Sequence, residues 1–115
     1  MTVRMLAATA ALALLAAAPA EASSPSVETC FEGSDFIANA AIARENGVAR
    51  EVFVARVEAD FVMIRAFPPE LRWFVMDEDD ERFLRTAVAE VFDSPRSPEA
   101  HRAGFLDACF SRASA

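Results

Sequence analysis

"VETCF", residues 27–31, and "LDACF", residues 106–110, hold the only two cysteines of the 115-residue chain, each followed by a phenylalanine and preceded two positions earlier by an acid. Where these cysteines fall on local structure decides the architecture. Around the first, Val27, Cys30, Phe31, Ile37, Ala38 and Ala41 recur at the three-and-four spacing of one helix face. Around the second, Phe105, Leu106, Cys109 and Phe110 make a similar stripe. Both thiols are therefore expected to face a core.

The head of the chain bears on whether they pair. "MTVRMLAATAALALLAAAPAEASS", residues 1–24, has one cation, Arg4, then an apolar run from Met5 to Ala18, then small residues around Pro19. That is the pattern of a secretory signal peptide over residues 1–20, with cleavage expected after Ala20 or, as a second option, after Ala22. The run of about 14 residues is short of the roughly 18–20 that a membrane span needs, and no longer uncharged run follows it. Cys30 lies too far from the run to carry a lipid. The expected product is periplasmic or secreted, with no membrane span after cleavage. Residues 21–25 are expected to form a flexible N-terminal segment, and residues 26–112 a single helical domain.

In an oxidising compartment, two core-facing cysteines are expected to bond to each other. The alternative, two free thiols doing redox or metal chemistry, would want a Cys-x-x-Cys or a ligand cluster, and the sequence has neither. Closing a loop of about 80 residues stabilises by about 4–5 kcal/mol in the chain-entropy model, comparable to the net stability of a small domain.

All 11 basic residues are arginines against 18 acids. The absence of lysine reads first as a compositional bias toward arginine and alanine, and second as a preference for forked contacts with carboxylates or anions. Cleavage of the leader removes Arg4 alone among the charges, so the net charge falls from −7 to about −8. Such a surface excludes nucleic acid, which needs a basic footprint.

Four helices are expected. The first runs from about residue 26 to 46, capped by Ser24 or Ser26 and ended by Asn46-Gly47, where glycine supplies a left-handed cap. "VAREVFVARVEADFVMIRAF", residues 48–67, is harder. Val48, Val52, Ala55, Ala59, Val62 and Ala66 make a helical stripe, yet residues 55–61 alternate as a strand would. Its length of about 20 residues favours a helix. Pro68-Pro69 ends it. A third helix is expected over residues 78–92, burying Phe83, Leu84, Ala87, Val88, Val91 and Phe92. Ser97-Pro98-Glu99 opens a fourth. The fold class is all-α, a small four-helix bundle-like domain stapled by one disulfide from the first helix to the last.

Few residues suggest chemistry. The acid run 77–81 lacks the alternate ligand spacing and the glycine of a calcium loop, so it reads as charge complementing the third helix dipole, with Asp77 as cap. His101, the single histidine, reads as a surface residue; no triad can be composed around it. No catalytic residue, metal ligand or cofactor is expected. "PPELRWFV", residues 68–75, holds the only tryptophan in a connection between helices. Large aromatics beside arginine anchor protein contacts, so Leu71, Arg72, Trp73 and Phe74 are the expected partner-binding residues. The competing reading folds Trp73 and Phe74 back as a lid on the core.

The placement of "IARENG" (42–47), "VFDSP" (91–95) and "FLDACF" (105–110) resembles a loose group of small exported bacterial helical proteins of mostly unknown function. More distantly, the pattern is similar to the periplasmic acid-stress chaperones, disulfide-bonded bundles of four helices. That resemblance implies acid-triggered opening and binding of unfolded clients. Below about pH 3 the net charge would swing from about −8 to about +10, and self-repulsion loosens a compact state. The leading expectation is a non-enzymatic interaction module for an unknown envelope protein, the alternative an acid-activated periplasmic chaperone.

Overall fold

Ser26 sets the start of the first helix. Its Oγ accepts from the Thr29 N–H at 3.1 Å while Thr29 Oγ1 accepts from the Ser26 N–H at 2.9 Å, a reciprocal cap that satisfies two otherwise orphaned donors. From there the computed structural model, which describes residues 25–113, is built of helices alone: α1 Val27–Glu45, α2 Arg50–Arg65, a 3-10 turn Pro69–Leu71, α3 Glu78–Asp93 and α4 Pro98–Ala113. No strand occurs among the described residues, and none of their helices is long and apolar enough to cross a membrane. The expected leader, its cleavage sites and most of the expected N-terminal segment lie outside them.

The junctions follow from local chemistry. Gly47 takes φ +93° and its N–H donates to the Arg44 carbonyl, while Val48 N–H reaches the Ala43 carbonyl, closing α1 as a side chain with a Cβ would not. Asp77 accepts from Asp80 N–H at 3.0 Å to start α3, and Ser97 accepts from Ala100 N–H at 3.1 Å to start α4. Short turns join α1 to α2 and α3 to α4, a longer segment over residues 66–77 joins α2 to α3, and the helices run in up-down-up-down order.

The most extensive helix contact joins α1 to α4. They run antiparallel, as three tie points along their length establish: the Cys30–Cys109 disulfide with Cα atoms 5.7 Å apart, the Asp35–Arg102 ion pair, and Arg44 donating to the Arg96 carbonyl at 2.8 Å. Small buried residues on α1, Gly33, Ser34, Ala38 and Ala41, let the two helices close on each other. The repeated cysteine-phenylalanine pairs now meet: beside the bridge, the Phe31 and Phe110 rings touch edge to face with centroids 5.7 Å apart.

On the other side α2 runs antiparallel to α3 along a ladder of forked arginine contacts. Arg50 holds Asp93, Arg85 holds Glu58, and Arg65 holds Glu81. The residues of α2 that enter the core are Val57 and Phe61, with Phe53, Val54 and Ile64 packed against them. This corrects the expected stripe: Val52 and Val62 are exposed, because the larger side chains one position along win the inward face. The α1 stripe is narrower than expected too, since Val27 and Phe31 lie largely in solvent.

Candidate functional site

Pro68 and Pro69 forbid the backbone bonds that would continue α2, and the chain turns through Pro69–Leu71 into an extended segment up to α3. One side chain fixes that segment. The Arg72 guanidinium donates to three carbonyls, those of Phe67 at 2.9 Å, Met76 at 2.8 Å and Arg65 at 3.1 Å. It caps the end of α2 and ties both ends of the connection together.

With the backbone so held, Trp73 and Phe74 point to different places. Phe74, 2% exposed, packs its ring against Phe105 at 5.6 Å and Phe83 at 6.2 Å, in space left by the missing side chain of Gly33. Trp73 stays half-buried, with its ring 5.5 Å from Phe36 on α1. It forms one wall of a cavity of about 400 Å³ whose floor includes Phe36, Phe61 and Leu84. Met63 and Phe67, both exposed, stand at its mouth. Asp60 is the one charged residue on the lining, and its carboxylate has no hydrogen bond or ion pair among the described residues.

The expected partner-binding quartet is therefore divided. Leu71, 68% exposed, and Trp73 are accessible. Phe74 is core, as the lid reading held, and the partly exposed Arg72 spends its guanidinium on carbonyls. Beside Trp73 the cavity is lined instead by Asp60 and Met63 of α2 and by Phe67, just past its end. For Met63 the signal in the sequence is an apolar residue on the solvent side of a helix, which the expected stripe through Val52 and Val62 hides.

The acid run is also divided. Asp77 caps α3, but Asp80 and Glu81 turn inward. Asp80 accepts from Met76 N–H and from Arg112, both at 2.9 Å. Glu81 takes both arms of Arg65, whose hydrogen bonds hold its carboxyl below the usual range against the opposing effect of burial. Arg85 does the same for Glu58. Arg112 lies over the Phe83 ring at 4.4 Å, and its buried Nη1 has no partner. No group of acids, histidine and cysteine among the described residues is arranged to hold a metal ion.

His101 overturns its expectation as a surface residue. It is 3% exposed, and its Nε2 accepts from the Arg96 N–H at 3.0 Å, closing the α3–α4 turn. Burial, then the nearby positive charges of Arg96 and Arg44, hold its pKa below the ordinary value. A lone histidine near a helix start reads as exposed; here the Arg96 N–H, donated from the preceding turn, gives the buried ring its partner.

No family model matches the chain, and neither curated proteins nor solved structures give a match.

Proposed function

We propose that the chain is a non-enzymatic exported binding module that takes an apolar side chain of a basic, amphipathic protein segment into the cavity beside Trp73. The observation that carries this is the cavity itself: an aromatic floor, exposed Met63 and Phe67 at the mouth, and a lone unpaired carboxylate, Asp60, on an acidic molecule. Apolar walls supply the affinity, and one oriented charge selects a cationic neighbour. Export is supported by the disulfide and by the leader-like residues 1–20.

Trp73 is the only tryptophan, so its emission reports the site directly. Titration with a short leucine-lysine amphipathic peptide should shift that emission to the blue and saturate. The double variant Met63→Ser/Phe67→Ser should lose the shift with thermal unfolding nearly unchanged, and Asp60→Asn should weaken binding and flatten its salt dependence. An emission unmoved by the peptide removes the reading.

A second reading, an acid-activated chaperone, is favoured by the α2–α3 ladder, whose carboxylates Glu58 and Glu81 hold the two helices together only while ionised. Suppression of client aggregation at about pH 2–3 but not at pH 7 would support it, and inactivity at both would remove it.

A further inference from the structure

A second crevice, of about 300 Å³ and with none of the residues that line the Trp73 cavity, opens between α3 and α4. Its floor is apolar, with Ile37, Phe83 and Phe105, and its polar side carries Glu90, Arg96 and His101. Every described arginine except Arg56 and Arg96 donates to an acceptor within the chain through its guanidinium. Arg96 lines the crevice with no such acceptor, although Glu90 lines it too, and Glu90 has no cation of its own. An acid and a base that share a crevice without pairing leave a space between opposite charges.

Two further features belong to that space. Because His101 Nε2 accepts a backbone N–H, the neutral imidazole carries its proton on Nδ1, which has no acceptor among the described residues. Gly104 sits in mid-helix, where glycine costs about 1 kcal/mol relative to alanine. A Cβ there would stand 3.3 Å from Arg96 Nη2. The glycine lets the guanidinium lie against α4 at the edge of the crevice.

We propose that this crevice binds a small zwitterion bearing an apolar side chain, a free α-amino acid or a dipeptide, with its carboxylate on Arg96 and His101 and its ammonium on Glu90. The apolar floor takes the side chain. Forked contact from a guanidinium suits a carboxylate, and the dry floor strengthens both charge contacts. This site is separate from the cavity at Trp73 and does not depend on its reading.

Chemical-shift titration of the oxidised chain tests it, with leucine and leucyl-leucine as zwitterions and N-acetyl-leucine and leucine amide as analogues each missing one charge. Resonances of His101 and Gly104 should move saturably with at least one zwitterion, and which of the two binds tighter distinguishes amino acid from dipeptide. The singly charged analogues should bind at least about tenfold more weakly. Arg96→Gln should keep the thermal unfolding of the parent chain and lose about tenfold in affinity, and Gly104→Ala, which crowds the guanidinium by a few tenths of an ångström but favours the helix, should keep the fold and weaken binding to a smaller extent. The proposal is overturned if neither zwitterion moves these resonances at about 10 mM. It is equally overturned if the analogues bind as well as leucine does, or if both folded variants bind as the parent does.

Discussion

At Gly33 a methyl group would stand 2.7 Å from the Phe105 ring and 3.2 Å from Phe74, with no flexible end to move aside. Gly33→Ala should therefore lower stability by about 1–3 kcal/mol in chemical denaturation, despite alanine's better helix propensity. A variant as stable as the parent would mean that the Phe74 and Phe105 rings relax freely. His101 makes a different prediction. Its pKa is depressed when folded, so as pH falls below about 6.5 the unfolded chain takes up the proton first and stability declines until the folded imidazole also titrates. His101→Gln should flatten that limb, which begins as pH falls below about 6.5, without altering the steeper acid limb that follows it. Neither residue could be recognised from the sequence. A glycine within a helix looks the same whether or not a ring passes over it, and a single histidine near a helix start announces burial only once a neighbouring turn supplies its donor.

Among the elements, α2 is the one held differently. α1 and α4 share a covalent bond, whereas α2 meets α3 through Phe61, Val57 and the arginine ladder. Both the Glu58 and the Glu81 carboxyls are depressed by their arginines, so their contribution is complete above about pH 4.3 and is lost as pH falls through the folded values. The half-exposed Glu58–Arg85 pair contributes under about 1 kcal/mol. Glu81 is nearly buried while Arg65 is half-exposed, so Glu81→Ala should lower stability through loss of the forked contact, the freed guanidinium turning to water. Amide exchange at about pH 3 should show α2 losing protection before α1 and α4. Equal loss in all of them would mean that the ladder is not what holds α2. The existence of all four helices was legible because glycine, paired prolines and serine or aspartate caps punctuate the chain. The inner face of α3 was legible from Phe83 onward, where apolar residues repeat on one side, but the inward turn of Asp80 and Glu81 ahead of it was not. The face of α2 was not: apolar residues surround it, and only packing volume chooses Phe53, Val57 and Phe61 over Val52 and Val62.

For the whole molecule, the disulfide was the most legible feature, because the only two cysteines of the sequence both fall on inward helical stripes. It closes a separation of 79 residues. Cys30→Ser/Cys109→Ser, or reduction of the parent, should cost about 4–5 kcal/mol and leave a domain this small marginal at 37 °C. Thermal unfolding with and without reductant measures it, and an unchanged midpoint would show that the helices suffice alone. Because α1 starts where α4 ends, a pull applied to the two ends of the domain runs straight from Cys30 to Cys109 and bypasses everything between them. Stretched in a single-molecule instrument, the oxidised protein should yield almost no extension, while the reduced one should release a contour of about 280 Å. The cystine thus makes the domain a short, stiff link under tension, with its helices carrying no load.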